Sequence, residues 1–375
     1  MISYSSPFTL YSSLFTSSIM DSPFVILNPA ARSGRAGNFV EVLQELPGNP
    51  VVRFTTRPRE AEELAREAVA QGYKKIVAAG GDGLINEVVN GIVSSSPVDR
   101  LDQPVALGVL PLGTMNVFAS ELKLPLDSLE AAWEVILENR FRHVDLACAT
   151  YLSPTFAIRM DEISQYTRPQ NAFQNHLCMK HTPRDFKNHF ETKSSQNLIH
   201  SNSESRAPQQ QRFFVQLAGI GLDAEVLEET SSAFKMAFGP ISYFFSFLKV
   251  VLKKQPTLLL CCEENGEKKG TSILLGNGKF YGGAFPFFPD ATLDDGHLHV
   301  LLFKHHHFWE LLGNFPALLL GQPRSLRTVQ YFKTKELAIT PQDSRFQIPF
   351  ELDGEMVSHL PIKFSIEKQR LPVLV

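Results

Sequence analysis

Apolar residues in the first third of the chain form short continuous runs at 24–28, 50–55, 74–79 and 105–110. Between them, near 35–46, 59–71, 84–93 and 115–122, apolar residues recur at helical spacing. Short apolar runs bounded by turn residues predict buried strands, and the i, i+3, i+4 recurrence predicts amphipathic helices. Regular alternation of the two dictates a parallel sheet with helices on both faces. A last helix over 128–139 leads into Phe141-Arg142-His143-Val144-Asp145-Leu146, after which the pattern turns β-rich. Strands are expected near 257–262, 271–276, 297–303, 327–332, 336–340 and 348–352, which together make a mostly antiparallel β-sandwich.

The expected boundary between the two parts lies near residue 145, so 21–145 forms the α/β domain and 146–362 the sandwich, with 363–375 as a terminal strand free to return to the first domain. Residues 161–212 are rich in Asn, Gln, Ser, Lys and His without period. They cannot bury enough apolar surface for a core layer, and they read as a mostly disordered insertion. It would interrupt a hairpin between 155–159 and 213–217. Residues 1–20 are Ser-rich and lack the Lys or Arg of a secretory signal, so they read as a disordered extension, with Met20 as an alternative start.

Chemistry concentrates where the predicted strands end. Lys75-Ile76-Val77-Ala78-Ala79 runs into Gly80-Gly81-Asp82-Gly83-Leu84-Ile85-Asn86-Glu87, and Val105 to Leu110 runs into Pro111-Leu112-Gly113-Thr114-Met115-Asn116. Glycines there let backbone approach a ligand, and the N–H groups that open the following helix face it, which suits a phosphate. A single GG or GD pair is more often a plain turn. Two such turns, with Asn28-Pro29 and Ser33-Gly34 after the first strand, line up several carboxyl strand ends, where open parallel sheets bind ligands. The first part is therefore expected to be a nucleotide-binding α/β domain.

Composition narrows the reading. The chain has 375 residues, enough for two domains that each bury a core. With 36 basic and 39 acidic side chains, the net charge of -3 offers no field for nucleic acid. Four cysteines without paired spacing point to a reducing, cytoplasmic setting. Cys178 with His176 and His181, and His305-His306-His307, lack the spacing of a zinc site and read as polar segments. The most apolar long stretch, Phe234 to Leu252, is interrupted by Gly239-Pro240 and flanked by lysines, so it falls short of a membrane span. It reads as a core helix, with an interfacial helix as the alternative.

The motif set of Asn28-Pro29, Gly80-Gly81-Asp82-Gly83 with Asn86-Glu87, and Pro111-Leu112-Gly113-Thr114 with Asn116 resembles the catalytic domain of the diacylglycerol kinase and sphingosine kinase superfamily. Further on come Gly219-Ile220-Gly221-Leu222-Asp223-Ala224, Gly276-Asn277, Tyr281-Gly282-Gly283, Pro289-Asp290-Ala291, Asp294-Asp295-Gly296 and Asp353-Gly354-Glu355. These resemble the bacterial soluble (YegS-like) lipid kinases of that superfamily, so the likeness runs from about residue 23 to the C-terminus, less the insertion. It departs at Leu84, Met115 and Val117, where relatives carry a hydroxyl, a glycine and a polar residue.

The resemblance implies an ATP-dependent kinase that uses Mg²⁺ and transfers the γ-phosphate to a hydroxyl of a diacylglycerol-like lipid. Its partners would be ATP and a membrane-derived lipid met by peripheral contact, with no nucleic acid, and a homodimer is compatible with it. On this reading Asn28, Pro29, Ser33, Thr55, Gly80, Gly81, Asp82, Gly83, Asn86, Gly113, Thr114 and Asn116 contact the nucleotide. Asp353, Asp82 and Glu355 form the catalytic set, with Asp353 as the base. Asp295, the carbonyls of Thr292 and His297, and Asp145 through water would hold a structural Mg²⁺. Plainer roles stay open: a helix cap for Asp82, a strand-end threonine for Thr55, a DG hairpin turn for Asp353 and an acidic β-turn at Asp295. Two other functions also stay open, a non-catalytic lipid or nucleotide sensor on a kinase scaffold and an NAD kinase.

Overall fold

The computed structural model describes residues 22–29, 46–95, 105–152, 209–221, 224–225, 255–262, 264–283, 285–304, 328–343 and 345–375. Strands β1 (Phe24–Leu27), β2 (Val51–Phe54), β3 (Lys75–Gly80) and β4 (Ala106–Pro111) lie parallel in the order β2-β1-β3-β4. The connecting segments supply α1 (Glu60–Ala70), α2 (Asp82–Ser95), α3 (Val117–Glu121) and α4 (Leu129–Glu138). Side chains alternate between the faces of a strand, and β3 shows what that does. Ile76 and Ala78 pack with Ala61, Ala65 and Ala68 of α1 and with Ile85, Val88 and Ile92 of α2. Val77 and Ala79 face the other way, against Trp133 and Ile136 of α4. With both faces covered, β1, β3 and β4 carry no polar side, which is why they read as continuous apolar runs, whereas the edge strand β2 is partly exposed.

The remaining strands are β5 (Phe141–Leu152), β6 (Gln209–Phe214), β7 (Leu217–Ile220), β8 (Leu258–Cys262), β9 (Gly266–Gly270), β10 (Ser272–Gly276), β11 (Leu298–Phe303), β12 (Val329–Thr334), β13 (Glu336–Pro341), β14 (Pro349–Leu352), β15 (Glu355–His359) and β16 (Ile362–Leu374). One antiparallel sheet runs β12-β11-β10-β7-β14-β15. The other strands extend the parallel sheet as β4-β16-β13-β8-β9, with β5 on β16 and β6 on β5. An apolar layer that includes Phe214, Ile273, Val300, Phe350 and Phe364 fills the second half. Each such buried side chain stabilises by roughly 1.5–3 kcal/mol.

Strand β16 joins the two halves. Its first residues pair with β13, Val373 lies parallel to Leu107 of β4, and its length is laddered on β5. The ladder slips between Glu367 and Leu371, opposite Asp145, and Gln369 takes φ 50 there. That β-bulge lets one strand serve two differently twisted halves.

Three expectations change. Residue 145 lies inside β5 rather than at a break, because the strand that ends the first half is also the strand that starts the second. Residues 209–212, assigned to the disordered insertion, belong to β6. They have no apolar alternation of their own and are ordered by the β5 ladder, from Leu152↔Gln209 to Ala147↔Phe214. The strand partner of Phe213 and Phe214 is Ala147–Cys148, and the expected partner 155–159 lies outside the described residues. The expected helix over 35–46, the insertion up to 208, the Phe234 to Leu252 stretch and His305-His306-His307 fall wholly or mainly outside the described residues.

Candidate active site

Because β1 to β4 run parallel, their carboxyl ends share one edge of the sheet, and the predicted nucleotide residues collect there. Asn28 and Pro29 follow β1, with Asn28 N–H bonded to Ala79 O at 3.2 Å. Thr55, buried, follows β2, its N–H on Leu27 O at 3.0 Å. Gly80 closes β3, Gly81 leads into α2, and Gly113 and Thr114 follow β4. Ser33 and Asp223 lie outside the described residues.

The two glycine turns touch backbone to backbone. A Cβ built on Gly113 would lie 2.5 Å from Gly81 Cα, so no larger residue fits without parting the turns. Asn116 closes its own turn from φ 49, accepting from Gly113 N–H at 2.8 Å and donating to Gly113 O at 3.0 Å. Asp82, the first residue of α2, accepts from Val117 N–H at 3.1 Å and Phe118 N–H at 3.0 Å. It thus caps α3 while keeping one free lone pair on each oxygen. Leu84, Met115 and Val117 also find places. Leu84 fills the space beside Gly80, Val117 is buried, and Met115 is half exposed with its Cε beside Gly283.

Farther along α2, two polar side chains face the second half and a third turns back to α1. Asn90 accepts from Phe213 N–H at 2.8 Å and donates to Phe213 O at 2.9 Å, pairing with β6 as a strand would. Asn86 donates to Phe213 O at 2.9 Å and to Asp353 Oδ2 at 2.8 Å, and accepts from the Arg212 guanidinium at 2.9 Å. Glu87 reaches the other way and accepts from Arg59 N–H at 2.9 Å and Ala61 N–H at 3.1 Å, capping α1. Loss of a cap costs about 0.5–2 kcal/mol, so Glu87→Ala is expected to lower unfolding free energy by about 1–2 kcal/mol in urea titration. An unchanged urea midpoint would remove that role.

The Asp353-Gly354 turn joins β14 to β15. Both residues have positive φ, 49 and 85, the type I′ geometry that DG favours in two-residue hairpins. Asp353 is buried, and four donors meet its carboxylate. Gln216 N–H at 2.9 Å and Leu217 N–H at 3.0 Å reach Oδ1; Val215 N–H at 2.9 Å and Asn86 Nδ2 at 2.8 Å reach Oδ2. Burial pushes this carboxyl up, and the four donors pull it back toward the ionised form. Glu355, two residues on, rests its carboxylate against Gly83. Burial raises its carboxyl, the Glu87 charge adds to this, and Arg212 opposes it.

The loop expected to hold a structural Mg²⁺ closes on itself. Asp145 accepts from Gly296 N–H at 2.6 Å and from Gln369 N–H, at the β16 bulge, at 2.7 Å. Asp295 lies 2.7 Å from His299 Nε2 and 3.5 Å from the Lys333 ammonium, and it accepts from His297 N–H at 3.0 Å. The carbonyl of Thr292 accepts from Asp295 N–H at 3.2 Å. The Lys333 ammonium lies beside Asp295 where a cation would be drawn, and Asp145, like Asp82, keeps one lone pair free on each oxygen beside its backbone donor. Among the described residues, no group of three or more His, Cys, Asp or Glu side chains has metal-holding geometry.

Sequence reasoning missed Glu87, Asn90 and Arg212. A signal was available, since Asn86, Glu87 and Asn90 are polar residues in a helix otherwise apolar from Leu84 to Val93. Polar groups buried at such positions need partners.

Residues 22–149 match the diacylglycerol kinase catalytic domain, and residues 217–375 match the YegS C-terminal NAD kinase beta sandwich-like domain. The chain is 26% identical over 322 residues to a diacylglycerol kinase of Staphylococcus carnosus, covering 85% of this chain and 82% of the relative. It is 27% identical over 353 residues, 92% of each chain, to a Cronobacter sakazakii protein named "Probable lipid kinase YegS-like". A crystal structure of a diacylglycerol kinase from Bacillus anthracis strain Sterne shares the fold, with TM-score 0.59 and 18% identity over 94% of this chain and 96% of that one.

Proposed function

The chain belongs to the diacylglycerol kinase and YegS-like lipid kinase superfamily, and on that premise we propose that it transfers the γ-phosphate of ATP to a hydroxyl of a diacylglycerol-like or related membrane-derived lipid. The observation that carries the reading is the junction of the two halves. Asn86, one turn into the helix that follows Gly80-Gly81-Asp82-Gly83, bonds Asp353 at 2.8 Å, and Glu355 rests on Gly83. The glycine turn and the acidic turn of the sandwich therefore lie side by side, as a shared donor and acceptor site needs.

Phosphoryl transfer asks for a phosphate cradle, neutralisation of charge and a base near the acceptor oxygen. Backbone N–H groups at the α2 N-terminus, in contact with the second glycine turn, provide the cradle. Asp82, with its two spare lone pairs, is placed to hold a divalent cation carried by the triphosphate, which would supply charge neutralisation. The acidic turn borders the acceptor side.

Apolar surface beside the second glycine turn supports a lipid acceptor. Met115 is 50% exposed beside Gly283, and Phe285, 40% exposed, closes the bridge to Tyr281. Among the described residues no helix is long and apolar enough to cross a membrane, so the lipid would be met by peripheral contact. Incubating the full chain with γ-labelled ATP, Mg²⁺ and lipid-extract vesicles is expected to give labelled lipid. Label appearing only in NADP when NAD is supplied, or in no product, would overturn the reading.

A further inference from the structure

Three carboxylates gather where β5, β16 and the loop before β11 come together, and basic side chains of this chain stand around them. Asp145, buried, lies between Gly296 N–H and Gln369 N–H. Asp294 and Asp295 directly precede Gly296 on the loop. Asp294 pairs with Arg142 of β5 at 2.7 Å, and Asp295 has the Lys333 ammonium of β12 at 3.5 Å. Lys368, from the β16 bulge, lies over Gly296, where a built Cβ would fall 2.6 Å from its Nζ. We propose that Arg142, Lys333 and Lys368 do in this protein what a structural divalent cation would do, so that the junction of its two halves is closed without metal.

Charge is the reason. Carboxylates gathered in a partly buried loop repel one another and lose hydration, so they need positive charge close by. A Mg²⁺ ion supplies it through oxygen ligands about 2.1 Å away. The oxygens of Asp295 are engaged otherwise. His299, wholly buried on β11, meets Oδ2 from Nε2 at 2.7 Å, and its Nδ1 lies 2.7 Å from the Tyr331 hydroxyl. Since a carboxylate only accepts, Nε2 carries the proton and Nδ1 accepts from Tyr331. His297 N–H reaches Oδ1 at 3.0 Å. Register adds the lysine, because His299 and Lys333 are direct partners on β11 and β12 and both reach the same oxygen.

An ion bound to that oxygen would stand within about 6 Å of the ammonium and carry twice its charge, so the two compete for the place. Lys333 has the advantage of being tethered, since an ion must be drawn from solution and stripped of water. Asp145 keeps a free lone pair on each oxygen, so removal of the two lysines would leave a loop able to take a metal.

The test needs neither nucleotide nor lipid, so its outcome stands apart from the kinase reading. The full chain is melted after EDTA treatment, with and without Mg²⁺ at equal ionic strength. Wild type is expected to keep its midpoint within about 1 °C, whereas a metal bound by the native state alone would raise it by several degrees. The double variant Lys333→Met, Lys368→Met is expected to melt several degrees lower in EDTA and to recover about half of that loss or more in Mg²⁺. A wild-type midpoint that rises with Mg²⁺ as far as the double variant's overturns the proposal, and so does a double variant that melts like wild type in both solutions. Hydrogen exchange at Gly296 and Gln369 N–H reports on the loop itself. In wild type it is expected to be the same with and without Mg²⁺, and slower exchange on adding Mg²⁺ overturns the proposal even where the double variant does not fold.

Discussion

Gly113→Ala is expected to lower unfolding free energy by about 3 kcal/mol and to weaken ATP binding tenfold or more, whereas Gly81→Ala costs about 1 kcal/mol. The asymmetry comes from direction. A methyl at Gly113 would point at Gly81 Cα from 2.5 Å, at Asn116 Oδ1 from 2.8 Å and at Gly81 N from 3.3 Å. Two of those three atoms belong to backbone that opens α2, so neither rotamer change nor side-chain retreat relieves the clash. A methyl at Gly81 would meet Gly113 Cα at 3.3 Å, which a shift of a few tenths of an ångström accommodates. Parting the turns would also strain the Asp82 bonds to Val117 and Phe118 N–H and the Asn116 bond to Gly113 N–H. Those bonds set the direction of the amides that would face phosphate, hence the coupled loss of donor affinity. Gly83→Ala separates packing from chemistry, because its methyl meets only the mobile end of Glu355. Urea unfolding and ATP titration on the three variants check the order. Equal losses for Gly113→Ala and Gly81→Ala would show that the contact between turns is not what demands glycine.

The first half of the fold is legible in sequence because β1, β3 and β4 are buried on both faces and α1 on one, so burial writes itself as a local pattern. β1, β3 and β4 are apolar throughout, and the strand-end glycines follow at once. The second half is less legible where a strand exists only through its partner. β9, Gly266–Gly270, has no large apolar residue and is mostly exposed, held by its ladder to β8. β6 opens with three exposed glutamines, and β15 is half-buried throughout, so neither has clear alternation. Site residues divide likewise. The glycine turns and the DG hairpin are local signals, but the bonds that fix their roles span 267 residues from Asn86 to Asp353, 126 from Arg212 to Asn86 and 123 from Phe213 to Asn90. A motif places Asp353 at a turn, and only the fold shows that the loop after β6 wraps its carboxylate in amides.

Asp353→Asn is expected to destabilise the protein by about 3–5 kcal/mol and to speed hydrogen exchange at Val215, Gln216 and Leu217. An amide keeps one acceptor oxygen and puts an NH₂ where the second oxygen stood. If the NH₂ takes the Oδ1 place it faces the N–H groups of Gln216 and Leu217. In the Oδ2 place it faces Val215 N–H and the Asn86 amide. Either way two buried donors meet a donor, at about 1–3 kcal/mol each, and the charge on the remaining bonds is lost. Asn86 has no easy escape, since flipping its amide would turn the Arg212 guanidinium away from its acceptor oxygen. Asp353→Ala leaves all four donors without the carboxylate and is expected to cost at least as much. Leu217 N–H bonds Asp353 while Leu217 O accepts from Asp353 N–H at 2.9 Å, so the damage spreads along β7 and the start of β14's hairpin. Exchange and unfolding by urea, followed on the full chain, test this directly. An Asp353→Asn protein as stable as wild type, with protected amides at 215–217, would mean that the carboxylate is not the acceptor holding the junction.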